Sequence, residues 1–287
     1  MHKRARTASM AALMLALLAL WPWSCEAQSM ASGERTLTVN GTQRSYSVYV
    51  SPKVSRPAPV VFVFHGGGGR PEAIARVTRL DDVADQNGFV TVYPEGAPAP
   101  SGRGGTWNVG GEKNPSSADD VAFVQAILRD LDQALPIDRA RIYATGVSMG
   151  GVFAYRLACE MSDTFAAIAP VAATKVEPSC QPRSPVAILH IHGSDDDRIP
   201  LKGGRGEKTA VARSWPAPQL GVASWTRYDS CGGGSSSHKD GDADCTSYAQ
   251  CRAAVEYCVI AGGGHGWPSG ASDRIWTFFA AHPKPAS

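Results

Sequence analysis

Arg141-Ile142-Tyr143-Ala144, then Gly146-Val147-Ser148-Met149-Gly150, then Gly151-Val152-Phe153-Ala154-Tyr155-Arg156-Leu157-Ala158: a strand-like run, a five-residue turn framed by glycine, and a helix-like run. This is the context that a nucleophile elbow needs. A tight strand-to-helix turn forces the serine backbone into a strained conformation, and glycines two residues to either side avoid the clash a side chain would make there. The serine oxygen then stands exposed at the carboxyl edge of a sheet, over a helix amino terminus. The pattern Gly-x-Ser-x-Gly alone is weak, since it fixes three common residues; the flanking strand and helix give it meaning.

Outward from this turn the chain alternates. Residues 35–39 and 45–50 alternate polar and apolar around Asn40-Gly41, a hairpin signal. Short valine- and aromatic-rich runs at 60–64, 89–93, 141–144, 186–191 and 254–260 read as buried parallel strands. Helical patterns at 72–86, 117–135, 152–161 and 272–281 separate or follow them. Such alternation builds right-handed βαβ units and predicts an α/β fold with a doubly wound, mostly parallel sheet and helices on both faces. Residues 201–245, rich in glycine, serine and charge, read as a surface excursion.

The amino terminus reads as an export signal. His2, Lys3, Arg4 and Arg6 precede an apolar run at 10–20 that is too short to span a bilayer. Small residues around 25–27 place cleavage after Ala27, giving a signal peptide at 1–27 and a single catalytic domain at 28–287. A lipid anchor on Cys25 is disfavoured because Pro22-Trp23-Ser24 lacks the aliphatic residue expected before it, so no stable membrane anchor is expected. Removing Lys3, Arg4, Arg6 and Glu26 turns 28 basic and 26 acidic residues into 25 of each. A balanced chain lacks the basic face that nucleic acid requires. The expected location is secreted, extracellular or periplasmic.

Six cysteines remain after cleavage, an even number that suggests three disulfides in an exported chain. If 245–248 and 255–258 form a hairpin, Cys245 faces Cys258 directly and the two can bridge. Cys159 with Cys180 and Cys231 with Cys251 are then the simplest remainder. No Cys-x-x-Cys is present, and no metal or other cofactor is expected. Asp240-Gly241-Asp242-Ala243-Asp244 reads better as a solvated acidic turn than as a calcium loop, since Cys245 replaces the needed glycine and the distal glutamate is missing.

A serine hydroxyl is a poor nucleophile near neutrality, so it needs a histidine base, and the histidine needs a carboxylate. His265, in Gly262-Gly263-Gly264-His265-Gly266-Trp267-Pro268 after the last strand, suits the base; His65, His190 and His192 lie in or just after strands, where packing or loop hydrogen bonds explain them. Asp195, Asp196 and Asp197 follow the preceding strand and compete for the acid. An oxyanion would need two backbone N–H groups: one from Met149, the other from His65-Gly66-Gly67-Gly68-Gly69, with Gly67 preferred and Gly66 the fallback. That loop lacks the Gly-Lys-Ser/Thr of a phosphate loop. Trp107 and Trp267 are candidate substrate-lining side chains, with core packing the competing reading. Asp120 reads as a helix-start carboxylate.

These residues resemble the exported esterase family that includes polyhydroxybutyrate depolymerases, feruloyl esterases and acetylxylan esterases. The likeness is carried by Phe64-His65-Gly66-Gly67, Thr106-Trp107-Asn108-Val109-Gly110, Asp119-Asp120-Val121-Ala122-Phe123, the elbow with Gly151, Arg156-Leu157-Ala158-Cys159-Glu160, residues 165–170, His192-Gly193 and Gly263-Gly264-His265-Gly266-Trp267-Pro268. Hydrolases of this architecture often carry HGxxDxxVP after the penultimate strand, a spacing that selects Asp196, with Ile199 standing for the valine. The resemblance implies an α/β-hydrolase fold, no cofactor, the order Ser148, Asp196, His265, and a Cys159–Cys180 bridge. It further implies a serine carboxylic-ester hydrolase working through an acyl-enzyme on an ester substrate, possibly polymeric: feruloyl or acetyl esters of plant polysaccharide, or hydroxyalkanoate polyester and oligomers. An acyltransferase using the same site, or a non-catalytic glycan-binding protein on the same scaffold, are the alternatives. The chain departs from the family pattern at Gly111-Glu112-Lys113 and Met149, beside the expected cleft, and Cys245 and Cys258 look additional.

Overall fold

A computed structural model describes residues 30–111, 116–177, 179–208 and 213–285. The export signal proposed at 1–27 and the departure at Glu112-Lys113 lie outside the described residues. In chain order the elements are β1 (Gly33–Val39), β2 (Thr42–Val50), β3 (Ala58–Phe64), α1 (Pro71–Thr78), α2 (Leu80–Asn87), β4 (Val90–Pro94), β5 (Ala97–Pro98), β6 (Gly105–Thr106) and α3 (Asp120–Ala134). Then follow β7 (Ile137–Val147), α4 (Met149–Glu160), β8 (Ala167–Val171), β9 (Ala187–Gly193), α5 (Pro218–Tyr228), β10 (Ser235–Asp240), β11 (Ala243–Tyr248), β12 (Val255–Ile260) and α6 (Ala271–Ala281).

Ten strands form one sheet in the order β1-β2-β4-β3-β7-β8-β9-β12-β11-β10. The six from β4 to β12 run parallel, while β1, β2, β11 and β10 are antiparallel margins. Strand β3 shows why the middle holds together. All seven of its residues are buried; Val60, Phe62 and Phe64 face one core with α3, α4 and α5, and Val61 and Val63 face another with α1, α2 and α6. A strand covered on both faces needs no polar alternation, hence its continuous apolar run.

Three local expectations are corrected. The helical pattern at 72–86 is two helices, because Arg79 adopts a left-handed conformation (φ 49°, ψ 32°) that ends α1 and begins α2. Strand β8, absent from the strand-like runs above, lies in the sheet centre, where its Pro170 is the register partner of Gly146 on β7. Residues 201–245 are not merely an excursion: α5 drives Val222 and Trp225 into the core, and β10 forms the exposed sheet edge.

All three disulfides pair as expected: Cys159–Cys180, Cys231–Cys251 and Cys245–Cys258. Cys245 and Cys258 are direct register partners on β11 and β12. The acidic turn joins β10 to β11, where Asp240 and Asp242 contact Arg274 and Asp244 contacts Lys239. Its carboxylates thus pair with protein cations.

Asp229, the carboxyl-terminal cap of α5, is buried. Burial pushes its carboxyl up to about 7, against the opposing pull of Arg252. An unfolded aspartate titrates near 3.9. Between about pH 4 and pH 7 the folded chain thus holds a proton that the unfolded chain has lost, and stability falls as pH rises through that window. Asp229→Asn is expected to unfold near the wild-type temperature at pH 4.5 and clearly above it at pH 8, each pKa unit being worth about 1.4 kcal/mol. Calorimetry at the two pH values checks this.

Candidate active site

The elbow is built by close approach. Ser148, at φ 56° and ψ −122°, follows β7 and caps the amino terminus of α4. A Cβ on Gly146 would lie 2.6 Å from the carbonyl oxygen of Phe64, and one on Gly150 only 2.2 Å from it. Glycine at both positions lets the strained turn lie against the end of β3. The Ser148 N–H donates to Val171 O at 2.9 Å, and Ser148 O accepts from Val152 N at 2.9 Å, fixing the serine between β8 and the first turn of α4.

The loop after β3 lies against this turn. A Cβ on Gly66 would meet Ser148 Cβ at 3.4 Å, and one on Gly67 would meet Met149 Cγ at 3.1 Å. The loop is pinned on both sides: Gly68 N–H donates to Gly105 O (2.8 Å) and Gly69 N–H to Gly66 O (2.9 Å). His65 is buried within it. Its Nε2 accepts from Gly96 N–H at 3.0 Å, so the proton sits on Nδ1, which donates to Gly66 O at 2.8 Å. Burial lowers the pKa of His65 and keeps this neutral tautomer.

Trp107 does not line the cleft. It is fully buried, donates from Nε1 to His65 O at 2.8 Å, and stacks on Phe153 with ring centroids 5.2 Å apart. A large ring with one polar edge holds a glycine-rich loop by filling the volume beneath it and taking one of its carbonyls. Asp120 is likewise structural, buried against Arg44 at 2.7 Å and accepting from Asn108 N–H. Trp267 is half-buried and does border the cavity containing Ser148.

Of the three consecutive aspartates, one is brought to the histidine. Asp195 is exposed and accepts from Ser194 Oγ; Asp197 pairs with Lys208. Asp196 is buried, and both its oxygens face His265 Nδ1, at 2.9 and 2.8 Å. Its Oδ1 also accepts from the N–H groups of Arg198 and Ile199, each at 2.8 Å. With Nδ1 donating to Asp196, Nε2 is the nitrogen of His265 left for proton transfer. Ser148 and His265 line one cavity of about 260 Å³, whose apolar wall includes Ala73, Ile74, Val77, Val147 and Trp267.

Behind Asp196 runs a buried chain that sequence reasoning missed. His190 and His192 lie two apart on β9 and so share a face; their rings are parallel, 5.3 Å apart. His192 Nε2 meets two acceptors, Ile199 O at 2.8 Å and Asp196 Oδ2 at 3.1 Å, so it must carry the proton. Its Nδ1 therefore accepts from His190 Nε2 (3.1 Å), and His190 Nδ1 in turn accepts from the Tyr155 hydroxyl (2.7 Å). Every donor points toward the carboxylate. Burial holds His190 well below its ordinary value, and therefore neutral. Burial would also raise the Asp196 carboxyl, but hydrogen bonds from His192, His265 and the Ile199 N–H outweigh it and hold Asp196 well below the usual carboxylate range.

Among the described residues, His238, Cys245 and Glu256 are close enough to suggest a metal site. Cys245 is committed to its disulfide and offers no thiolate.

Comparison with known proteins agrees with this architecture. The family model described as Esterase PHB depolymerase matches residues 44–201, which carry the elbow and Asp196. The chain is 29% identical to the putative esterase NocK of Nocardia uniformis subsp. tsuyamanensis over 260 residues, 82% of this chain and 74% of that protein. It is 27% identical to feruloyl esterase B of Piromyces equi over 241 residues, 80% of this chain but only 43% of that longer protein. The structure of an acetyl xylan esterase from Aspergillus awamori superposes with a TM-score of 0.66 at 14% identity, covering 86% of this chain and 99% of that one. With its family model matched over more than half its length, the chain belongs to the PHB depolymerase family of esterases.

Proposed function

We propose that the protein is an exported serine carboxylic-ester hydrolase whose nucleophile, base and orienting acid are Ser148, His265 and Asp196. One observation carries the reading: a strained serine at a helix amino terminus shares a cavity with an imidazole whose far nitrogen is held by a buried carboxylate. Ser148 Oγ attacks the acyl carbon while His265 Nε2 takes its proton. The developing oxyanion is received by the N–H groups of Met149 and Gly67, which need no reorganisation because α4 and the pinned glycine loop already fix them. His265 then protonates the departing alkoxide. Water, deprotonated by the same nitrogen, attacks the acyl-enzyme and releases the acid.

The cavity of about 260 Å³ with its apolar wall suits the acyl half of the ester. Relatives named for feruloyl and acetyl xylan ester cleavage favour acetyl or feruloyl esters of plant polysaccharide, with hydroxyalkanoate oligomers the polyester counterpart. Export is supported by the basic and apolar amino terminus together with three disulfides, which persist in oxidising compartments.

Ser148→Ala is expected to abolish hydrolysis of p-nitrophenyl acetate while leaving the unfolding temperature within a few degrees of wild type; retained turnover contradicts the assignment. His192 is a positioning residue, acting through Asp196. Replacing it by Phe removes the N–H that helps keep the carboxylate ionised, a charge-assisted bond worth about 1.5–3 kcal/mol. His192→Phe should lower kcat roughly tenfold or more with little change in KM and move the acid limb of the pH–kcat profile upward. His192→Gln, which can still present an N–H, should recover part of both; equal losses in KM and kcat would indicate general damage instead.

A further inference from the structure

A cavity of about 980 Å³ is separate from the catalytic one. It is a groove between the turn joining β1 to β2, the segment following β4, and the residues leading into α3. Strand β2 runs antiparallel to β4, with Tyr46 opposite Pro94, so that turn lies at the same carboxyl edge of the sheet as Ser148. Arg70 borders both the groove and the catalytic cavity. The wall between them is two backbones thick: Gly68 N–H donates to Gly105 O, Gly105 N–H to Gly69 O, and a Cβ on Gly104 would stand 2.2 Å from Gly68 O. The groove and the catalytic cavity are therefore neighbours across these glycines, which interpose no side chain.

The lining decides what such a chain is. Among the described residues it contains no aromatic side chain, and Arg44 and Arg70 are matched by Glu95 and Asp119, so a polyanion gains nothing from it. Thr42 and Gln43, both exposed, offer donors and acceptors. Glu95 accepts from Ser45 and Asp119 from Asn40 and Ala122, but each carboxylate keeps spare lone pairs that only a ligand carrying donors can use. Hydroxyl groups supply those donors along a sugar chain. A polyester offers none between its ends. The volume stands at the upper end of the range of about 300–1,000 Å³ usual for drug-sized ligands, enough for an oligomer.

We propose that this groove binds the alcohol side of the ester as an uncharged, hydroxyl-rich oligosaccharide, while the smaller apolar cavity takes the acyl group. The proposal deepens the esterase reading and takes its orientation from it, but sugar binding needs no turnover and can be measured apart from it. Xylohexaose is titrated calorimetrically into Ser148→Ala protein and into the same protein carrying Thr42→Ala and Gln43→Ala, with unfolding temperatures confirming that both are folded. The expected result is saturable binding to the first and an affinity about tenfold lower or worse in the second. No binding of xylohexaose, or binding that the added substitutions leave unchanged, overturns it. So does binding of a hydroxybutyrate trimer in place of the sugar. Failure of the esterase reading has a different signature, p-nitrophenyl acetate hydrolysis that survives Ser148→Ala.

Discussion

The site depends on one close approach, the Phe64 carbonyl at the end of β3 against the glycines of the elbow. At 2.2 Å from that oxygen, a Cβ on Gly150 would force β3 and the start of α4 apart. The same contact brings Gly66 against Ser148 and Gly67 against Met149. One absence of side chain thus sets three things together: the strained serine backbone, the entry of α4, and the position of the glycine loop. Interiors are packed too densely to absorb an added methyl here by small adjustments, so a wider elbow would mean a displaced glycine loop. Trp107 and His65 secure the loop from beneath, the one by filling the core and holding a carbonyl, the other by bridging Gly66 and Gly96.

The second organising feature is electrostatic. Asp196 is buried, which by itself would favour its neutral form, yet its surroundings hold it well below the usual carboxylate range, as the proposed role of holding an imidazolium requires. A row of hydrogen bonds from Tyr155 through His190 and His192 runs in one direction and delivers an N–H to the carboxylate. Backbone N–H groups of Arg198 and Ile199 complete its surroundings. Burial holds His190 well below its ordinary value, since a cationic histidine in that core would be costly. The Asp196 carboxylate is thus surrounded by hydrogen-bond donors, with no Arg or Lys side chain paired to it among the described residues.

Much of this was readable in advance, for identifiable reasons. A nucleophile elbow must have small residues at fixed offsets, so Gly146, Ser148 and Gly150 stand out in the sequence. Strands buried on both faces are largely apolar runs, so β3, β4 and β9 did too. Where local rules met a tertiary override the reading slipped: Pro170 disguised β8, and the left-handed Arg79 was invisible within a periodic helical pattern. Trp107 looked like a cleft residue because it follows a loop in a recognisable motif, but its environment is set by Phe64 and Phe153, far away in the chain. The spacing of His190, His192 and Asp196 held a clue, since alternate residues of one strand share a face; only the fold shows that this face leads to the acid. The groove could not be foreseen, because it is assembled from separate segments spread between Val39 and Asp119.

The central claim is that Ser148 is a nucleophile activated by His265 and Asp196. Treatment with diethyl p-nitrophenyl phosphate, followed by intact-mass measurement and peptide mapping, tests it without assuming a natural substrate. The account predicts a single diethylphosphoryl adduct per chain, on the peptide containing Ser148, with labelling slowed by orders of magnitude in His265→Ala. An unlabelled protein, an adduct on a different residue, or labelling indifferent to His265 would contradict it.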